Sequence, residues 1–451
     1  MSYPSLRHRD VLLIAVPIIL SNISTPLLGI VDTAILGQLG EAHLIGSIAV
    51  GAILFSMIFW GFGFLRMGTS GLTAQSDGAG DNREVLATLY RATIIASGLG
   101  LLVILLQPGI ASLSFYVLDA SLEVEQGARL YFDIRIWSAP AALVNYTILG
   151  WLVGLGRAGA ALFLQIILNG SNAILDAMFV MIFGMEVEGV AIGTLIAEYI
   201  ALFGGLALIF QEVKRRKTKI DWPTIWNPEA MRRIFTININ IMIRTLCLIF
   251  AFSFFTAQSA KMNDIVLAAN AILINFLQFS AHFLDGFAHA AQTLVGRAIG
   301  AINFTSFRQA KAMSFLWAFA TAVILSAVFL FGGSLLVSFM TVNQAVRDVA
   351  DNYMIWLIIA PLVGVGAYQY DGIFVGATRT EDMRNMMILS LMAYLCAWFV
   401  LTPSFGNHGL WGSIMVFFFA RTVALHMRIP ALERDIFKAN KSGLKNENAS
   451  R

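Results

Sequence analysis

Two short polar stripes in otherwise apolar segments are the residues best placed to do chemistry. In VLLIAVPIILSNISTPLLGIVDTAIL, residues 11–36, the positions Asn22, Thr25, Gly29 and Asp32 are spaced three, four and three apart and share one helical face. Further on, Gln165, Asn169, Asn172 and Asp176 run four, three and four apart. An acid in hydrocarbon costs at least about 2.5 to 3.5 kcal/mol on insertion scales, so it usually faces an internal cavity and binds or carries something. Taking a carboxylate out of water favours its neutral form, which suits a group that is loaded and unloaded with a proton. Were Asp32 and Asp176 close, they would titrate as a pair. Oxygens from Asn172 and Thr194 would equally complete a shell for Na+, and residue types alone do not choose between the ions.

A third stripe, Asn275, Gln278, His282, Asp285, His289 and Gln292, alternates at three and four, with Asp371 and Arg244 on other apolar segments as charge partners. Histidine titrates near neutral pH, so the stripe reads as a proton path, and equally as a polar packing seam or cavity wall. Pro17 and Pro26 each remove a backbone hydrogen bond from the first segment, leaving points where a helix bends on protonation of Asp32 or is simply kinked.

The elements that must position these residues are membrane helices. The chain has 451 residues, 58% hydrophobic and 13% charged, with mean hydropathy +0.75, more apolar than a soluble domain can hide. Twelve stretches are long enough to span a bilayer, near 11–35, 44–66, 88–107, 131–154, 161–183, 189–211, 234–256, 265–290, 313–339, 352–376, 385–404 and 408–429. The expected fold is an all-α integral membrane protein. The first segment, preceded by Arg7 and Arg9, runs too far for a signal-peptide core and reads as a retained span.

Loop charge gives the orientation. With the N-terminal side lie 23 Lys and Arg, including Arg66, Arg157, Lys214 to Lys217 and Arg379, against Arg129, Lys261 and Arg347 opposite, so both termini are expected in the cytoplasm. The Lys214 to Lys217 run reads as a topology-setting loop beside anionic lipid rather than a nucleic-acid site. Cys247 and Cys396 lack metal-ligand spacing, no HExxH or GxSxG occurs, and no cofactor is expected, which leaves little room for an enzyme.

Residues recur at an offset near 220: Gln38 and Gln258, Ala49 and Ala269, Thr73 and Thr293, Gly80 and Gly300, Ala139-Pro140 and Ala360-Pro361, Gly189 and Gly409. The run Gly150, Gly154, Arg157 returns as Gly372, Gly376, Arg379. Six spans per repeat put both halves in the membrane the same way up, the arrangement of two lobes that rock about a shared cavity. The expected division is an N-lobe over 1–211, a basic cytoplasmic linker over 212–233, a C-lobe over 234–430 and a polar cytoplasmic tail over 431–451. Phe55, Phe59, Trp60 and Phe62 suit planar amphipaths or plain core and lipid contact.

Over all twelve spans the sequence resembles the multidrug and toxic compound extrusion (MATE) family, in particular its DinF branch. The marks are PIILSNISTPLLGIVDTAILGQLG with Asp32, NGSNAILDAMFV with Asn172 and Asp176, GVAIGTLIAEY with Thr194, and YQYDGIFVGATRT with Asp371. The resemblance implies a V-shaped pair of six-helix lobes and a monomeric antiporter of the cytoplasmic membrane that exports small amphipathic, often cationic, drug-like compounds in exchange for H+ or Na+. It further implies an N-lobe coupling network of Asp32, Asn172, Asp176, Thr194 and Tyr131, with bending of the first helix around Pro17. Other branches place coupling carboxylates in the C-lobe; here Phe252 stands where the repeat would mirror Asp32, while Asp371 keeps a C-lobe contribution open. The reading is thus an H+-coupled drug antiporter. A Na+-coupled antiporter, a lipid-linked substrate flippase without obligatory ion exchange and a passive channel are its rivals.

Overall fold

The computed structural model describes residues 6–37, 41–118, 121–219 and 221–438; within these, the side chains of 27, 28, 30, 32–34, 36, 37, 42, 117, 118 and 438 lie outside the description. Sixteen α-helices make up the described chain: α1 (His8–Gly37), α2 (Ala42–Gly61), α3 (Phe64–Gly78), α4 (Asn82–Leu105), α5 (Gln107–Leu118), α6 (Leu122–Arg135), α7 (Ala139–Gly154), α8 (Ala158–Ala177), α9 (Val187–Arg216), α10 (Trp222–Ile225), α11 (Pro228–Ala260), α12 (Asp264–Gly300), α13 (Phe304–Met340), α14 (Gln344–Gly376), α15 (Thr380–Phe405) and α16 (Asn407–Glu433). No strand occurs among the described residues. Only helices satisfy every backbone polar group within one segment, which is what hydrocarbon demands of an unclosed chain.

Twelve helical stretches of the described residues are long and apolar enough to cross a membrane, one for each stretch read from the sequence. Most are longer than the apolar runs. The stretch expected over 265–290 is part of α12, which continues to Gly300, and the one expected over 313–339 begins at Phe304. Caps set these starts: Asn263 and Asn303 each accept from the backbone N–H three residues on, at 2.8 and 3.0 Å. The fourth stretch differs more. Helix begins at Leu122 rather than near 131, and a 3-10 turn over Ile136–Ser138 precedes Pro140, whose missing N–H suits the first turn of α7. The basic segment read as a loop is largely helical: α9 runs on to Arg216, α10 is a single turn and α11 starts at Pro228. Buried Arg91 holds that segment, donating to the carbonyls of Ile225 at 2.9 Å and of Thr224.

The chain forms two compact units. One comprises residues 20–76 and 81–235; the other comprises 1–19, 77–80 and 236–451, so the boundary falls inside α1. In the first unit α8 packs on α9, α4 on α7, and α6 on α2 and α9. Phe55 and Phe132 meet at 5.5 Å in its core, and Trp151 donates to the Val85 carbonyl at 3.0 Å. In the second, α12, α13, α14 and α16 surround Trp411 and Phe255, packed edge to face at 4.9 Å. There Asn270 is a fully answered buried amide. It donates to Ser259 and Asn407 at 2.8 Å and accepts from Asn407 at 3.0 Å and Trp411 at 2.8 Å. Large apolar side chains also stand outward, Phe331 and Phe339 being 87% and 78% exposed, as a lipid-facing surface requires.

The internal repeat is a backbone property. Apart from Lys217 (52°), the described residues with left-handed φ fall in pairs 222 positions apart: Gly80 (72°) and Ile302 (51°), Gly156 (60°) and Thr378 (54°), Gly184 (67°) and Gly406 (54°). The turn after α3 is therefore matched by Ile302, not by Gly300. Close helix contacts obey the same register. A Cβ on Gly150 or Gly154 would collide with the carbonyl oxygen of Arg66 or Ser70, and one on Gly372 or Gly376 with that of Ala288 or Gln292. The arginine after each α7 or α14 turn also finds an acid late in its own unit, Arg157 on Glu212 and Arg379 on Asp435 at 2.9 Å.

Because backbone cannot yield as a flexible side chain does, Gly150→Ala and Gly372→Ala are each expected to destabilise the protein by about 1 to 3 kcal/mol. Gly332→Ala, where a Cβ would meet nothing within 4 Å, should leave the melting temperature in detergent unchanged; equal melting of all three proteins would contradict the close approach.

Candidate functional site

The polar residues of α8 and α9 converge in the first unit. Asn172 and Asp176 are one helical turn apart on α8 and are 2% and 0% exposed. The Asn172 amide donates to Asp176 Oδ2 at 2.8 Å and to Thr194 Oγ1 on α9 at 3.2 Å, while the Thr194 hydroxyl donates to the Val190 carbonyl at 3.0 Å. Gly193 makes the approach of the two helices feasible, since a Cβ there would overlap Asp176 Oδ1. Immediately after Asp176 the helix widens into a π-turn over Met178–Ile182, a feature common beside functional groups. On the same α8 face, Gln165 donates to Asn169 at 3.0 Å, and Asn169 to Ser24 of α1 at 2.8 Å.

The other expected members are placed as follows. Asp32 lies on α1 with its side chain outside the described residues, as do the side chains that flank it at 33 and 34. Pro17 and Pro26 lie within α1, which is helical through both. Tyr131 on α6 is 1% exposed; its hydroxyl accepts from Arg135 at 2.5 Å, and its ring fills the space that Gly51 of α2 leaves open. Arg135 lies over the Phe55 ring, 4.6 Å from its centroid. Of the α2 aromatics, Phe55 and Phe59 are core residues and Trp60 is 46% exposed.

Glu198 escaped the sequence reading. It stands on α9 one turn beyond Thr194, and Asn145 of α7 donates both to its Oε2 at 2.9 Å and to its backbone carbonyl at 3.0 Å. The spacing of four between Thr194 and Glu198 was the available signal.

In the second unit Asp371 of α14, 3% exposed, is gripped by Arg244 of α11 and by Arg421 of α16, the latter at 2.6 Å. Arg244 and Asp371 were legible as charges available to the α12 stripe; Arg421, itself 1% exposed, was not anticipated. Along α12, His282, Asp285 and His289 are half-buried, and His289 Nδ1 lies 3.1 Å from Gln292 Oε1. Tyr368 lies within electrostatic reach of Asp285, Asp371 and both arginines. Among the described residues no group of three or more His, Cys, Asp or Glu is arranged to hold a metal ion.

A family model described as MatE matches residues 17–178 and 231–400. The DNA damage-inducible protein F of Escherichia coli (strain K12) is 37% identical over 413 residues, which cover 91% of this chain and 90% of that protein. The chain belongs to the MatE family. This MatE chain is also similar to the probable multidrug resistance protein NorM of Rhizobium meliloti (strain 1021), at 25% identity over 97% of this chain and 96% of that one. Among solved structures, a MATE crystal structure in the bent conformation superposes with a TM-score of 0.84 at 19% identity, covering 94% of this chain and 96% of that chain, and shows the shared fold.

With two guanidinium groups on one carboxylate, Asp371→Asn leaves buried positive charge unanswered. The variant is expected to lose about 3 to 5 kcal/mol, and removing Arg421 as well (Arg421→Met) should restore part of it. Thermal unfolding of the single and double variants reads the coupling; additive losses would mean the ion pair does not hold the two helices.

Proposed function

We propose that this MatE chain is a multidrug efflux antiporter of the cytoplasmic membrane. It acts as a monomer with both termini in the cytoplasm and exports amphipathic, often cationic, compounds by alternating access in exchange for H+. The observation that carries the reading is the buried Asp176, joined through Asn172 to Thr194 between two membrane-spanning helices. An acid so deep that accepts from a neutral amide suits a group whose charge changes during a cycle. Asp371, pinned between two arginines, suits a fixed structural charge instead.

In this reading Asp32 on α1 and Asp176 on α8 carry the proton, with Asn172, Thr194 and Tyr131 orienting them. Protonation of Asp32 changes its hydrogen bonding and bends α1 near Pro17 and Pro26, which releases substrate. H+ is preferred to Na+ because the Asn172 amide already directs N–H donors at both Asp176 and Thr194. A Na+ ion between those oxygens would require the amide to turn its carbonyl inward. One charge moving down 100 mV supplies about 2.3 kcal/mol, enough for useful export against a gradient.

Proteoliposomes with independently imposed H+ and Na+ gradients test this. A pH step alone is expected to drive uphill dye movement by the wild type, and Asp32→Asn and Asp176→Asn should each abolish uphill movement while leaving the protein folded. Export driven only by Na+ would overturn the choice of ion. Uphill export that survives both substitutions with unchanged pH dependence would favour a flippase without ion exchange.

A further inference from the structure

The pair formed by Glu198 and Asn145 is only half answered. Both N–H groups of the Asn145 amide go to one residue, the carboxylate Oε2 and the backbone carbonyl of Glu198. The amide oxygen of Asn145, a residue 3% exposed, is buried and has no hydrogen-bond partner. The one hydrogen bond described on the Glu198 carboxylate comes from Asn145 and falls on Oε2, and none is described on Oε1 of this half-buried residue. Asn270, by contrast, uses its amide N–H groups and its oxygen on protein partners and needs nothing more. A buried acceptor without a donor is uncommon because water is lost and nothing replaces it, and each such group calls for an explanation such as a ligand.

A carboxylate and an amide oxygen side by side, both acceptors, are complementary to a cation that carries N–H donors. The charged group within electrostatic range of Glu198 is Arg135 from α6, which donates to Tyr131 at 2.5 Å, and Glu198, Arg66 and Arg135 all lie within such range of Tyr146 on α7. Asp176 lies on α8 against the same face of α9, joined to it through Thr194. Arg135 therefore opposes a bound cation and Glu198 favours it, which gives the site a sign that substitution can reverse.

We infer that Glu198 and Asn145 form a substrate subsite in the first unit that receives the N–H-bearing amine group of an amphipathic cation, separate from the Asn172, Asp176 and Thr194 cluster one turn away. This rests on the export reading above and names the chemical group that the site takes. The amine donates to Glu198 Oε1 and to the Asn145 amide oxygen, so an uncharged amphipath of similar size gains nothing from either.

Fluorescence polarisation on the full-length protein in detergent tests it with rhodamine 6G, a cation bearing N–H groups, and Nile red, an uncharged dye. Glu198→Gln is expected to weaken rhodamine 6G binding about tenfold or more with Nile red affinity unchanged. Glu198→Asp should recover part of the loss, and Arg135→Gln should tighten rhodamine 6G binding. Unchanged rhodamine 6G affinity in Glu198→Gln would overturn the inference, as would a parallel loss of both dyes. A wild-type protein that neither binds nor pumps either dye would instead bring down the export reading itself.

Discussion

A carboxylate removed from water must be answered by donors on neighbouring helices, and how it is answered decides what it can do. Asp176 is answered by a neutral amide, Asn172, which also reaches Thr194 on the next helix. Asp371 is answered by two guanidinium groups. Two arginines on one carboxylate make any loss of its charge a loss of fold. The helices around each acid are arranged to meet that requirement: Gly193 gives up its side chain to Asp176, and α11, α14 and α16 each contribute one member of the Asp371 group.

The two units carry this contrast on one backbone plan. Left-handed turns and glycine contacts on carbonyl oxygens recur 222 residues apart, and an arginine after the corresponding turn reaches an acid in each unit. The side chains inside the plan have diverged. Where the first unit has the Asp176 cluster and the pair formed by Asn145 and Glu198, the second has arginine-held Asp371 and the satisfied Asn270 group. Backbone contacts resist change because a carbonyl oxygen cannot move aside, while a buried polar side chain can be exchanged if its partners change with it.

Groups within one helix were the most legible in the sequence, because a period of 3.6 residues is a property of the chain itself. The spacing of Asn172 and Asp176 gave their shared face, and the structure joins them by a hydrogen bond. Arg244 and Asp371 were readable as charges available to the α12 stripe, and the structure pairs them with each other. Arg421 was not, since nothing local ties α16 to α14. Glu198 was overlooked for the same reason: its partner Asn145 lies on another helix, 53 positions away. The helical linker was missed because hydropathy marks where a chain is apolar rather than where a helix stops, and α9 is held to Arg216 by the ion pairs of Glu212 with Arg215 at 2.7 Å and Arg216 at 2.9 Å.

By itself the sequence determined a twelve-span helical membrane protein with an internal repeat and acids in its spans, since length, hydropathy and spacing are local quantities that lipid turns directly into helices. Tertiary structure alone decided which acids are held by amides and which by arginines, where backbone touches backbone, and which buried amides keep an unanswered oxygen. Those outcomes depend on which faces of distant helices meet, and no local quantity records that.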